Sequence, residues 1–351
     1  MTDFLGRSAA KIGWIPAGDE SIASSRYRAF NPIRELRKRN VPVEIYKHRR
    51  RDMYSTLVVQ KNYDPSVRDT AEAIRARGGK VILDLCDNHF LFVNGQGSDD
   101  AELRRSRLEA MLLVTDLVTV SSEEMGRLVE STVDLPCYVV DDMIDSLSNR
   151  PFWRRMLSEQ HAVSHRYRRS NGPLRLVWFG NAGSELYDFG MIDLGRIIDE
   201  LNVLSGTLDI QLTVISNSEE QFQRYVRSSA SFPVEYEEWD LSTFEQSARS
   251  HDACVMPIRL NDFTRYKTAN RVATAVFLGL PVVTSMVPSY ERYAAALYID
   301  NWASNLQVIA NSPDEVADKL QLARELAEMQ FFPEPVCLQW QKVFLEAGVL
   351  V

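Results

Sequence analysis

The stretch Asn261–Ser285, NDFTRYKTANRVATAVFLGLPVVTS, decides how the chain is read, because it joins a polar, cationic helix start to a buried-strand signal. From about Lys267 the apolar residues Val272, Ala275, Val276 and Phe277 fall at helical spacing. Gly279 then stops the helix, Pro281 follows, and Val282-Val283 opens a strand. Loop, helix and strand in that order are one unit of an α/β sheet. Lys267, Asn270 and Arg271, at i, i+3 and i+4, share one face of the first turns, where unpaired N–H groups and the helix dipole favour an anion. In outline this is a phosphate site. On spacing alone, a solvated polar face is the commoner reading, so the rest of the chain has to decide.

Working outward, the same grammar repeats on both sides. Strand signals occur at 11–15, 41–46, 56–60, 81–85, 117–121 and 138–140, with helical patterns at 65–77, 99–114 and 122–131 between them. Ser121, three residues before Glu124, has the spacing of a capping box. After a polar linker at 164–173 the alternation restarts with LRLVWFG at Leu174–Gly180. Strands are then expected at 210–216, 234–239, 253–257, 281–284 and 297–299, with helices near 191–204, 219–228 and 241–250. Strands alternating with helices predict parallel sheets covered on both faces. No GxGxxG follows a strand in the first half, which argues against a dinucleotide site.

A length of 351 residues suits two domains of ordinary size, and a hydrophobic fraction of 45% supplies two cores. We expect domains at 1–168 and 169–330, with 331–351 as a C-terminal helix crossing back to the first. No apolar run approaches a membrane span and the start lacks a secretory core, so a cytoplasmic protein is expected. Cys86, Cys137, Cys254 and Cys337 are widely separated without a CxxC pair, which reads as reduced thiols. The net charge of −8 hides an asymmetry: residues 1–170 carry 27 Lys+Arg against 24 Asp+Glu, and residues 171–351 carry 13 against 24. Basic runs at 34–39, 47–51, 104–107 and 165–169 suit an anionic membrane or acceptor, or are solvated faces; with no stacking pattern or motif, nucleic acid is disfavoured.

Taken in order, SSRYR after the first strand, LDLCDN, TDLVTVSSEEM, LVWFGN and HDACVMPI leading into FTRYKTANRVATAVFLGLPVVTS resemble the group 1 (family 4-like) glycosyltransferases of the GT-B fold. The resemblance covers nearly the whole chain. It implies two Rossmann-like domains facing across a cleft, with a nucleotide-diphosphate sugar held by the second domain and an acceptor by the first. It further implies retaining glycosyl transfer to a glycan, lipid-linked or other cell-envelope acceptor, as in polysaccharide biosynthesis, with no obligatory metal or other cofactor. Peripheral contact with the cytoplasmic membrane face through the first domain is expected. The family's Glu-x7-Glu positions are Tyr266 and Thr274 here, so both carboxylates are missing and Lys267, Asn270 and Arg271 stand in their neighbourhood. That departure keeps open a non-catalytic nucleotide-sugar-binding protein, and a nucleotide-sugar epimerase is a second alternative.

Candidate residues follow. Lys267 and Arg271 are read as the cations that stabilise a departing diphosphate, and Asp87 and His89, just past a strand, as catalytic groups at the acceptor. Gly180, Asn181, Ser216, Trp239, Thr268 and Asn270 are read as nucleotide-binding, with a turn or a core aromatic as the plain alternative for Gly-Asn and Trp239. Ser25, Arg26, Arg28 and Asn88 are placed on the acceptor side, because an arginine fork suits phosphate or carboxylate. Asp84, Asp87 and His89 are too densely spaced for a metal set, and Asp84 is read as a loop cap.

Overall fold

The computed structural model describes residues 11–91, 99–145 and 172–349. The expected linker and the boundary at 168/169 lie outside the described residues, as does the basic run 165–169. The chain divides into two compact units: Met1–Asp145 with Tyr266–Thr268 and Gln330–Val351, and Ser146–Arg265 with Ala269–Met329.

The first unit is built on six parallel strands: β1 (Lys11–Ile15), β2 (Val43–Ile45), β3 (Tyr54–Gln60), β4 (Lys80–Leu85), β5 (Leu117–Val120) and β6 (Cys137–Val139), in the order β2-β1-β3-β4-β5-β6. Its central strands read as continuous apolar runs because helices cover both faces. Alternation sorts the side chains. Trp14, Val58 and Ile82 join Ile33 and Leu36 on one face, whereas Leu57, Val59, Val81 and Leu83 pack against Ala71, Ile74, Leu108 and Met111 on the other. The helix Pro333–Glu346 belongs to this unit and closes the first face, with Trp340 edge-on to Trp14 at 4.6 Å and Phe344 stacked on Trp340 at 5.7 Å.

The second unit repeats the plan. β7 (Leu174–Phe179), a two-stranded hairpin of β8 (Gly183–Ser184) and β9 (Phe189–Gly190), then β10 (Ile210–Ser216), β11 (Val234–Glu238), β12 (Ala253–Met256), β13 (Val282–Thr284) and β14 (Tyr298–Ile299) follow in sequence. The parallel sheet runs β11-β10-β7-β12-β13-β14 around a core of Leu176, Trp178, Leu201, Leu212, Val214, Val255 and Leu306.

Three local expectations are corrected. The pivotal helix spans Asn270–Phe277 with Ala269 as its N-cap, so Lys267 and Thr268 precede it and Lys267 does not share its first turn with Asn270 and Arg271. A short 3₁₀ turn at Thr264–Tyr266 takes up the intervening chain. The cap of the helix Glu123–Thr132 is Ser122, whose side chain accepts from the Met125 N–H, and not Ser121. The helices expected at 191–204 and 219–228 each divide, the second passing from Glu219–Phe222 into a π-helical turn at Gln223–Arg227.

Candidate active site

In the second unit the strand order reverses between β7 and β12, and an open parallel sheet keeps its ligand crevice beyond the carboxyl ends of the strands at such a point. Gly180 ends β7 there. Its N–H donates to Ile215 O at 3.1 Å and its carbonyl accepts from Ser216 Oγ at 2.8 Å. A Cβ on Gly180 would lie 3.0 Å from Arg271 Cζ, so the absence of a side chain is what lets the guanidinium lie against this turn.

Arg271 is held by aromatic surface and one backbone oxygen. Its Nη2 donates to Phe179 O, and its Cζ lies 5.1 Å from the Trp178 ring and 5.8 Å from the Phe179 ring. Its Nε is buried without a hydrogen-bond partner, and no carboxylate is paired with it among the described residues. Ala269 offers no side-chain cap to the helix Asn270–Phe277, of which Arg271 is the second residue. A half-buried guanidinium with donors to spare beside an uncapped helix start can receive an anion.

The other nucleotide-side candidates of this unit gather at the same edge. Asn181 Oδ1 accepts the Gly183 N–H at 2.8 Å, fixing the turn after β7. Ser216 is fully buried at the end of β10, and the Trp239 N–H donates to Ser216 O at 2.7 Å. The partly buried Trp239 ring lies 6.5 Å from Phe244, itself 5.0 Å from Phe179, so an aromatic row leads from β11 to the turn at Gly180. Thr274, where the resembling family carries Glu, is buried and returns its Oγ1 proton to Asn270 O at 2.8 Å.

Thr268 and Lys267 go elsewhere, because Tyr266–Thr268 belongs to the first unit. Ser122 Oγ donates to Tyr266 O at 3.1 Å, and Thr268 Oγ1 to Asp142 Oδ2 at 2.7 Å. Lys267 Nζ lies 2.6 Å from Asp87 Oδ1, while Lys61 Nζ holds Asp87 Oδ2 at 2.7 Å. Burial works against the Asp87 carboxylate, but the Lys267 and Lys61 ammoniums outweigh it and hold its pKa well below the carboxylate range. Lys61 was not singled out in the sequence. The signal was its position directly past the carboxyl end of β3, in the left-handed region at φ 35°.

His89 stands beside this trio. Its Nδ1 is 3.0 Å from Tyr63 Oη, with the rings edge-on. Burial pushes the imidazole pKa down to about 4 against the pull of Asp87, so the ring is neutral at physiological pH. Asn88 is buried and its Oδ1 accepts the Phe90 N–H at 3.1 Å.

The remaining acceptor-side candidates are turned inward. Arg28 is completely buried, donating to both oxygens of Asp84 and to Val140 O, with Asp142 Oδ1 at 3.5 Å; Thr119 Oγ1 donates to Asp84 at 2.7 Å. Asp84 is thus the anchor of a buried ion pair, correcting its reading as a loop cap, and Arg28 is too enclosed to meet an acceptor. Arg26 pairs with Asp145 at 3.0 Å and donates to Glu20 O and Ser21 O. Ser25 Oγ accepts the Gly18 N–H at 3.1 Å. Arg26 and Ser25 stabilise the turn after β1, whereas Arg28 ties the end of β4 to the segment at 140–142. Among the described residues no group of three or more His, Cys, Asp or Glu side chains is placed to hold a metal ion.

A sucrose-phosphate synthase from Thermosynechococcus elongatus superposes with a TM-score of 0.63 at 14% identity, covering 96% of this chain and 99% of its own. The chain has the GT-B fold. A UDP-forming α,α-trehalose-phosphate synthase from Burkholderia xenovorans, in complex with glucose-6-phosphate, matches at a TM-score of 0.54 and 12% identity over 91% of this chain and 82% of its own. An E. coli trehalose-6-phosphate structure bound with UDP-2-fluoro glucose matches at 0.52 and 13% over 84% and 73%. No protein-family model and no curated protein sequence matches the chain.

Proposed function

We propose that the chain is a glycosyltransferase that moves a sugar from a nucleotide-diphosphate donor to a glycan, lipid-linked or other cell-envelope acceptor. The observation that carries this is Arg271: a half-buried guanidinium with an unpaired Nε, lying against Gly180 in the first turn of an uncapped helix at the switch point of the second sheet. A diphosphate supplies what that site lacks. Solved structures of the same fold include one bound with UDP-2-fluoro glucose, which supports a nucleotide sugar as donor.

In this reading the donor's C1–O bond breaks, the nucleoside diphosphate leaves with the electron pair, and the acceptor oxygen bonds C1 as its proton passes to the departing phosphate. Arg271 and the N-terminus of Asn270–Phe277 stabilise the charge that grows on the diphosphate. The turn at Gly180-Asn181 and Ser216 shape the phosphate and ribose side, and Trp239 offers a face to the base. Lys267 is a second cation, held by Asp87. In the tautomer whose Nδ1–H meets Tyr63 Oη, the neutral His89 ring leaves Nε2 to accept from a non-reacting hydroxyl of the acceptor, beside Asn88 and Asp87 in the sequence. Retention of configuration and contact of the first unit with a membrane belong to the same proposal. Incubation with UDP-, GDP-, ADP- and CMP-sugars and a panel of glycan and lipid acceptors, read by mass spectrometry, tests it: transfer from one donor is expected, and none from any donor refutes it.

One observation favours a second reading. Thr274 occupies the site where the resembling family has a carboxylate, and its hydroxyl is spent on its own helix. A binding protein without transfer activity is then the competitor, distinguished by nucleotide-sugar affinity with no turnover.

A further inference from the structure

At the carboxyl ends of β1 and β2, within the first unit, lies an open groove of about 380 Å³ that none of the donor or acceptor residues above enters. Its walls are mostly carbon: Ile15, Pro16, Ile45, Tyr46 and the first turn of the helix Pro65–Arg75 at Val67. The floor is built rather than accidental. Tyr46 lies 5.0 Å from Tyr54, whose Oη donates to Glu44 at 2.9 Å, and Glu44 is pinned by Lys11 and Arg50 at 3.5 Å each. A Cβ on Gly13 would lie 3.0 Å from the Tyr54 ring and 3.1 Å from the Tyr46 ring, so glycine there lets the aromatic pair settle on the sheet.

The rim is cationic. His48 borders the groove and opens the 3₁₀ turn His48–Met53, in the run Lys47-His48-Arg49-Arg50-Arg51. Arg50 and Arg51 have carboxylates at 3.5 and 3.8 Å, whereas Lys47 and Arg49 are exposed and pair with none among the described residues. Lys47 and Arg49 flank the lining residues Tyr46 and His48 in sequence, so an apolar trough bordered by a basic run matches one kind of molecule: a chain that is apolar along its length and anionic at its head.

We propose that this groove binds a single-chain amphiphile carrying a phosphate head, the chain lying over Tyr46 and Val67 and the head meeting Lys47 and Arg49. It goes with the acceptor-side reading of the first unit, naming where the apolar part of a lipid-linked acceptor would lie. Its test is independent of Arg271. Titrate the full chain with decyl phosphate below its micellar concentration, with decanol, and with inorganic phosphate, by calorimetry. Expected are saturable one-to-one binding of decyl phosphate, weaker binding of decanol, and none of inorganic phosphate. Val67→Trp and Thr70→Trp, each filling the groove, should weaken decyl phosphate tenfold or more. The double variant Lys47→Glu/Arg49→Glu should weaken it similarly, abolish its salt dependence and spare decanol. Non-saturable binding, equal affinity in both groove-filling variants, or competition by inorganic phosphate overturns the proposal. So does undiminished binding of the groove-filled variants to anionic vesicles with no decyl phosphate binding by the wild type, which would make the rim a membrane-surface patch. Nucleotide-sugar titrations run alongside separate failure here from failure of the donor reading.

Discussion

Lys267 Nζ lies 2.6 Å from Asp87 Oδ1 across 180 residues of chain, and Lys61 Nζ takes the other oxygen at 2.7 Å. One carboxylate therefore organises two lysines and fixes the segment Tyr266–Thr268 in the first unit. Asp87→Asn removes the charge from between them. The side chains keep some solvent, so the expected loss is ~1–3 kcal/mol, below that for a fully buried pair. Urea unfolding measures it.

The same trio sets an acid limit. The folded pKa of Asp87 is depressed, so its contribution is present above the unfolded value near ~3.9 and is lost as pH falls through the folded pKa. Wild type should lose stability below about pH 4 more steeply than Asp87→Asn. Melting temperatures from pH 3 to pH 7 test this, and parallel curves would remove Asp87 from the account.

His89 should stay neutral where an ordinary histidine is charged. With its pKa pushed down to about 4 by burial, its ring nitrogens should show neutral-imidazole shifts by NMR at pH 5.5. The sign follows: the unfolded chain takes up the proton first, so this group lowers stability as pH falls from ~6.5 toward the folded pKa. A titration midpoint near 6.5 would contradict the buried placement.

Trp340→Ala should destabilise the first unit by ~3–5 kcal/mol, because it opens a cavity against Trp14 and beside Phe344. Trp340→Phe keeps an aromatic ring against Trp14 and should cost less. Denaturant midpoints at constant m-value measure both.

The parts of the fold legible in the sequence were those written in local pattern. Runs such as TLVVQ, VILDL and LRLVWF announce strands buried on both faces, and the restart at Leu174 announces a second sheet. Arg271 and Gly180 were also legible as residue types at a helix start and a strand end, although the guanidinium's place at the turn was not. Lys267 was misread because helical spacing cannot tell a residue within the first turn from one just before it. Its partner is Asp87, in another part of the sequence. Arg28 failed for the same reason: the Asp84, Asp142 and Val140 that enclose it come from the end of a strand and from a loop more than a hundred residues on. Ser122 displaced Ser121 as the cap because the helix starts at Glu123, one residue later than the Ser121–Glu124 spacing assumed.

The central claim is that Arg271 receives a diphosphate, and the most direct measurement is calorimetric titration of wild type, Arg271→Ala and Gly180→Ala with UDP, GDP and ADP. Wild type should bind one of these nucleotides with a saturable isotherm. Arg271→Ala should weaken it tenfold or more, as loss of a charge-assisted contact costs ~1.5–3 kcal/mol. Gly180→Ala, which crowds the guanidinium and strains a backbone at φ 155°, should weaken it and lower the melting temperature. Binding of no nucleoside diphosphate by the wild type, or equal affinity in Arg271→Ala, would contradict the account.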